Sequence, residues 1–207
     1  MIAIVDYGVG NLFSLSRSLE AIGQEVLVTG EAEALRRADR LILPGVGAFA
    51  DAATKLRESG LGEVVSQEAA RGKPLLGICL GMQLLFEKSY EFGEHEGLGL
   101  IPGAVRPIAD AIPRGLKIPH IGWNGLLFPG ERPRHPLMAG LAPGDCVYFV
   151  HSFYAADCEE DIIAVTEYGG ILTAAVARRN VVGFQFHPEK SGPVGLQLLR
   201  RFCEEGF

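Results

Sequence analysis

Short apolar runs alternate with helically spaced apolar positions through the first 80 residues. Ile2 to Val5 is followed by Leu12, Leu15, Leu19 and Ile22, three or four residues apart, and then by Val26 to Val28. Unbroken short apolar runs suit strands and a spacing near 3.6 suits helices, so this order implies a parallel sheet with crossover helices. A third strand is expected at Leu41 to Leu43, stopped by Pro44-Gly45, and a fourth at Leu75 to Ile78, after the Gly72-Lys73-Pro74 break. Between them residues 50–71 read as mostly helical, interrupted near Gly60.

The second half has another texture. Prolines and glycines recur from Gly97 to Gly144, and only short strand-like pieces stand out, such as Val147 to Val150 and Ile162 to Thr166. Short, antiparallel strands suit that pattern. Val181 to Phe186 reads as a closing strand and Val194 to Phe202 as a closing helix. The expected fold class is α/β, a mostly parallel twisted sheet with flanking helices plus short additional strands in the second half.

Composition narrows the possibilities. At 207 residues, with 48% hydrophobic and 21% charged positions, the chain has material for one substantial core, and a single domain over residues 1–207 is expected. A net charge of -6 with no cluster of Lys and Arg argues against nucleic acid, which needs cations to displace counterions. The apolar runs fall far short of the roughly twenty residues that cross a bilayer, and the amino terminus lacks the basic flank of a signal peptide, so no membrane association is expected. Cys79, Cys146, Cys158 and Cys203 have neither zinc-site spacing nor the density of a disulfide framework, which suits a reducing cytoplasm.

Two segments carry chemistry. Gly77-Ile78-Cys79-Leu80-Gly81 follows an apolar strand and precedes Met82-Gln83-Leu84-Leu85-Phe86, which has helical character. A G-x-C-x-G elbow holds a nucleophile exposed on a tight strand-to-helix turn, and a helix start favours a thiolate. The pentapeptide alone fits a buried structural cysteine equally well. The other segment is Phe184-Gln185-Phe186-His187-Pro188-Glu189-Lys190. In an extended chain residues two apart share a side, so Glu189 is placed to orient His187, with Pro188 biasing His187 toward an extended conformation. A lone strand-end histidine is more often a satisfied polar residue than a base. Together the two segments supply nucleophile, base and orienter, the parts needed for acyl transfer.

Gly77 to Gln83, Phe186 to Ser191 and Leu43-Pro44-Gly45-Val46-Gly47-Ala48-Phe49 together resemble the class I, triad-type glutamine amidotransferases, whose sheet is flavodoxin-like. Within that family, Asp6-Tyr7-Gly8-Val9-Gly10-Asn11, His120-Ile121-Gly122-Trp123-Asn124 and Tyr148-Phe149-Val150-His151-Ser152 resemble the glutaminase subunits of imidazole glycerol phosphate synthases. The resemblance runs in order along essentially the whole chain.

The resemblance implies hydrolysis of L-glutamine to glutamate and ammonia through a Cys79 thioester, with His187 and Glu189 completing the triad. The ammonia would pass to a cyclase subunit of barrel fold in a heterodimer that forms imidazole glycerol phosphate and AICAR in histidine biosynthesis. Both chemical steps make an oxyanion, for which the N–H of Leu80 and the turn at Val46 and Gly47 are the expected donors. Relatives commonly carry Pro-Gly-Gly where this chain has Val46, and a β-branched residue resists positive φ. The orientation of that peptide is therefore expected to depend on a partner, leaving the isolated subunit slow. Gln83, four residues beyond Cys79, is expected to contact substrate, as are Glu91, Tyr148, His151 and Ser152. Partner contacts are expected from Asn11, Trp123, Asn124 and Lys190.

Other chemistries fit parts of the sequence. Gly8-Val9-Gly10 resembles the start of a dinucleotide loop, but its third glycine position is Phe13, too bulky for close helix-to-strand approach. The five histidines show no ligand spacing, so neither metal nor cofactor is expected. A cysteine peptidase on a similar scaffold, a docking module without activity and a redox-sensing thiol remain alternatives. Retention of all three triad positions argues against the docking module.

Overall fold

A computed structural model describes residues 1–130 and 133–204. The first half follows the expected alternation: β1 (Ile2–Val5), α1 (Leu12–Ala21), β2 (Val26–Thr29), α2 (Ala32–Arg37), β3 (Arg40–Leu43), α3 (Phe49–Glu58), α4 (Leu61–Ala70) and β4 (Leu75–Ile78). The helical interruption falls at Gly60, whose φ of 71° is a left-handed conformation that glycine adopts without a Cβ clash. Beyond β4 lie α5 (Leu80–Gln83), β5 (Phe86–Ser89), β6 (His95–Glu96), β7 (Ile101–Pro107), β8 (His120–Gly125) and β9 (Cys146–His151). The chain then forms β10 (Phe153–Ala156), β11 (Ile162–Glu167), β12 (Ile171–Arg178), β13 (Val181–Phe184) and α6 (Gly192–Glu204).

The principal sheet has seven strands in the order β11-β12-β13-β4-β3-β1-β2. From β13 to β2 every neighbouring pair is parallel, whereas β12 and β11 are added antiparallel. The inner parallel strands β13, β4, β3 and β1 read as continuous apolar runs because both faces are covered, whereas β2 at the edge exposes Leu27 and Val28. Alternation along each strand divides them between two cores. Ala3, Val5, Leu41, Leu43 and Leu75 pack with Leu56 and Val65 of α3 and α4. Ile2, Ile4, Ile42, Leu76 and Ile78 pack with Leu15 and Leu19 of α1 and with Leu198 and Phe202 of α6. Each fully buried aliphatic side chain contributes roughly 1.5–3 kcal/mol, so this double-faced burial anchors the strands whose ends carry the site.

Two expectations need correction. The run from Met82 to Phe86 is not helical throughout: α5 is a single turn, and Phe86 already begins β5. Leu84, Leu85 and Phe86 are apolar because they are buried, and burial of consecutive positions does not distinguish helix from strand. The glycine- and proline-rich second half also holds more strand than its texture suggests. β10-β7-β5-β6 form a second sheet and β8-β9 a two-stranded ribbon. Among the described residues no helix is long and apolar enough to cross a membrane.

Candidate active site

Three adjacent strands, β3, β4 and β13, bring three segments to one edge of the sheet at their carboxyl ends, where open α/β sheets place their ligands. β4 delivers Cys79, β13 delivers His187, and β3 delivers the Pro44–Phe49 turn. Cys79 takes φ 54° and ψ -112°, an unfavourable conformation for a residue with a Cβ. The elbow glycines serve another purpose: they let backbones touch. A Cβ on Gly81 would lie 1.9 Å from the Leu43 carbonyl oxygen, and one on Gly77 would lie 2.7 Å from the Gly81 carbonyl oxygen. The Cys79 N–H donates to the Phe184 carbonyl at 2.7 Å and ties the elbow to β13. Leu80 opens α5, so its N–H has no intrahelical acceptor.

His187 and Glu189 are both deeply buried, with His187 Nδ1 and Glu189 Oε1 2.9 Å apart. The contact is not made along an extended strand. Pro188–Lys190 forms a 3-10 turn with proline at its first position, and this turn folds Glu189 back under the imidazole. Because the carboxylate accepts, Nδ1 carries the proton and Nε2 faces the thiol side. Burial opposes protonation of His187, but hydrogen bonding to Cys79 and then to Glu189, with their charges, prevails and raises its pKa to about 9. The backbone is held too: the His187 N–H donates to the Tyr148 carbonyl at 2.9 Å, and Ser191 Oγ donates to the His187 carbonyl at 2.6 Å.

A cleft of about 630 Å³ opens over Cys79 and His187. Val46, Gly47, Leu80, Gln83, Glu91, His151 and Ser152 all line it. Tyr148 is not among the lining residues. Instead its ring meets Trp123 edge-on at 6.1 Å, with Lys190 Nζ 5.9 Å above it. Tyr148 thus belongs with the expected partner-contact residues, and Lys190 is held over an aromatic face.

Several lining side chains are already engaged. Gln83 Nε2 donates to the Phe153 carbonyl at 3.2 Å and to Gln185 Oε1 at 3.1 Å, which leaves its own Oε1 for a ligand. Gln185 in turn directs Nε2 toward Cys79 Sγ at 3.9 Å. His151 uses both ring nitrogens within the protein: Nδ1 donates to the Phe153 carbonyl at 2.8 Å, and Nε2 lies 3.0 Å from His120 Nδ1. Burial chiefly drives its pKa down to about 3, so His151 is a neutral wall of the cleft. Glu91 Oε2 accepts from the Phe49 N–H at 2.7 Å.

The turn at Val46 differs from expectation. Positive φ falls on Gly47, at 93°, and Val46 is not among the residues with left-handed backbone. Val46 is 43% exposed and Gly47 is also exposed, whereas Gly45 packs so closely that a Cβ would lie 2.7 Å from the Gly81 N. Of the remaining expected partner contacts, Trp123 is 55% exposed. Asn124 donates to the Glu167 carbonyl and lies against His120 Nε2. Asn11 is half-buried and lines a narrow crevice with His187 and Glu189. The sequence reading did not single out Gln185, Ser191 or the hydroxyl of Tyr7. Their contacts join segments far apart in the chain, which no local pattern reveals. Phe13 and Ile121 are also exposed, which no local pattern in the sequence signals. Among the described residues no group of His, Cys, Asp or Glu is arranged to hold a metal ion.

Comparison with known proteins agrees with this geometry. The family model described as glutamine amidotransferase class-I matches residues 3–205. The protein of Wolinella succinogenes named imidazole glycerol phosphate synthase subunit HisH is 50% identical over 208 residues, covering 100% of both chains. The HisH subunit of Aquifex aeolicus is 50% identical over 96% of this chain and 94% of its own. Among solved structures, a glutamine amidotransferase superposes with a TM-score of 0.75 at 21% identity, over 98% of this chain and 97% of the other, which supports the fold. The chain therefore belongs to the class-I glutamine amidotransferase family and, within it, groups with the HisH subunits of imidazole glycerol phosphate synthase.

Proposed function

We propose that this chain is the glutaminase half of an imidazole glycerol phosphate synthase, a single-domain cytoplasmic subunit that works with a cyclase subunit of barrel fold. The observation that carries the reading is His187, hydrogen-bonded to Glu189 on one side and facing Cys79 on the other, at the ends of neighbouring strands. Cys79 Sγ attacks the γ-carboxamide carbon of glutamine, forming a C–S bond while the carbonyl electron pair moves onto oxygen. Imidazolium His187 gives its Nε2 proton to the departing nitrogen, the C–N bond breaks and ammonia leaves. Neutral His187 then takes a proton from water, whose oxygen attacks the thioester. A second oxyanion collapses, breaks the C–S bond and releases glutamate, returning the thiolate and imidazolium.

Each oxyanion needs N–H donors where its charge develops, and Leu80 with the Val46–Gly47 turn border the thiol on that side. Glutamine fits the cleft through the free Oε1 of Gln83, with Glu91 and Ser152 as further polar lining. Trp123, Tyr148, Lys190 and Asn11 form the expected docking edge. The test is glutamate release by the purified chain with and without a cyclase subunit and its ribonucleotide substrate. Cys79→Ala is expected to abolish release in both conditions, and persistent release in that variant refutes the mechanism.

A further inference from the structure

The turn that borders the thiol is held at both ends by residues to which the reaction scheme gives no such part. Tyr7 lies two residues beyond β1, buried, and its phenolic O–H donates to the Pro44 carbonyl at 2.8 Å, bridging segments 37 residues apart. At the other end the Phe49 N–H donates to Glu91 Oε2 at 2.7 Å. Glu91 is itself fixed, since its N–H donates to Ser89 Oγ at 3.2 Å and Ser89 is fully buried. Between the two clamps, Gly45 is pressed against the elbow with no room for a Cβ, whereas Gly47 has no atom within 4 Å of its Cβ direction and Val46 projects outward.

A trans peptide is planar, so fixing the Pro44 carbonyl also fixes the Gly45 N–H on the opposite side. Gly10 allows this arrangement: a Cβ there would come within 3.0 Å of the Pro44 ring. Burial, and then the neighbouring Cys79, push the Tyr7 hydroxyl's ionisation upward, so it remains a donor at any working pH. Reorientation within the turn is thereby confined to the peptides around Val46 and Gly47.

We propose that Tyr7 is a positioning residue of the glutaminase reaction: by holding the Pro44 carbonyl it anchors one end of the oxyanion turn, Glu91 anchors the other, and only the Val46 and Gly47 peptides remain to direct an N–H at the oxyanion. This rests on the glutaminase reading given above. A clamp of this kind acts on the charge that develops at oxygen and leaves the sulfur's own reactivity unchanged. It predicts a specific split between measurements.

The experiment compares wild type and Tyr7→Phe in complex with the cyclase subunit. Glutamate release is expected to fall about tenfold in kcat, with KM for glutamine within twofold. Alkylation of Cys79 by iodoacetamide, which forms no oxyanion, is expected to proceed at the wild-type rate. A kcat within twofold of wild type overturns the proposal, as does a fall in kcat matched by an equal fall in alkylation rate. The other clamp gives an arm independent of Tyr7→Phe folding. Glu91→Leu removes the acceptor for the Phe49 N–H and is expected to lower kcat about tenfold while Cys79 is alkylated at the wild-type rate; a kcat within twofold of wild type, or an equal fall in alkylation rate, overturns the proposal. If the wild-type complex shows no Cys79-dependent glutamate release, the glutaminase reading itself fails and the clamp with it. An active wild type with an indifferent Tyr7→Phe sinks the clamp alone.

Discussion

The two walls around the thiol are built on opposite principles. The elbow wall is over-determined: Cys79 is held at positive φ, Gly77 and Gly81 touch neighbouring backbone, and the Cys79 N–H is tied to β13. The turn wall is fixed only at its ends, with Val46 exposed and Gly47 in open space. A nucleophile must be in place before substrate arrives, and strain there is maintained by the surrounding packing. Donors to a charge that exists only in the transition state are free to be completed later. The contrast locates the immobile part of the machinery in β4 and the adjustable part in the connection after β3.

The largest expected effect tests the immobile side. Glu189→Gln preserves size but removes the carboxylate that holds the Nδ1 proton of His187. General acid-base assistance is worth roughly 10²- to 10⁴-fold, and loss of the orienting group is expected to lower kcat for glutamate release by about 10³-fold. Steady-state assay with the cyclase subunit present checks this. A loss under tenfold would show that the buried 2.9 Å contact does not set the imidazole's tautomer.

How much of this contrast was legible beforehand depends on the range of each interaction. Strands β1, β3 and β4 were readable because burial on both faces writes an unbroken apolar run, and the α3–α4 break was readable because Gly60 marks it. The three proposed triad residues were readable as two short motifs. The orienting contact was inferred correctly but through the wrong geometry, since Pro188 starts a turn where an extended segment was expected. A β-branched Val46 suggests strain at positive φ, but the backbone assigns positive φ to Gly47, the next residue without a Cβ. Tyr148 lies beside cleft residues in sequence, yet its cross-strand pairing with Trp123 sets its ring against that indole. What stayed invisible were partners supplied from a distance, such as Tyr7 to Pro44 and Gln83 to Gln185.

A matched pair of glycine substitutions sharpens the comparison. Gly81→Ala drives a Cβ into the Leu43 carbonyl and forces the elbow away from β3, at an expected cost of about 3 kcal/mol in stability. Gly47→Ala meets nothing, and its φ of 93° alone costs about 1–2 kcal/mol. Urea denaturation of both variants decides: equal midpoints would mean that the turn is packed as firmly as the elbow.

Two histidines on the cleft give a pH test with opposite signs. The pKa of His187 is raised to about 9 by its partners, so its contribution to stability is fully present below about pH 6.5, the usual histidine value, and is lost as pH rises through 9. His151 is lowered to about 3 by burial, so the unfolded chain binds the extra proton first. Its contribution is present above about pH 6.5 and is lost as pH falls toward 3. Urea midpoints measured from pH 4 to pH 10 should therefore decline at both ends. His187→Gln is expected to flatten the alkaline limb alone; an unchanged alkaline limb would remove the imidazolium from the resting site.

The smallest effect belongs to the adjustable wall. Val46 already occupies ordinary backbone space, so its side chain does not strain the resting turn; it narrows the route to other conformers by restricting φ and ψ. Val46→Gly widens that route without touching Tyr7, Glu91 or the elbow. Glycine's added freedom is worth roughly 0.5–1 kcal/mol, enough to raise glutamate release by the partner-free chain about threefold. Activity of the complex should change less, because a docked partner has already selected the productive conformer. Measuring both rates in one preparation makes the ratio the readout. A Val46→Gly chain as slow as wild type without its partner would place the restraint outside the turn, and the docking edge at Trp123 would then be where to look for it.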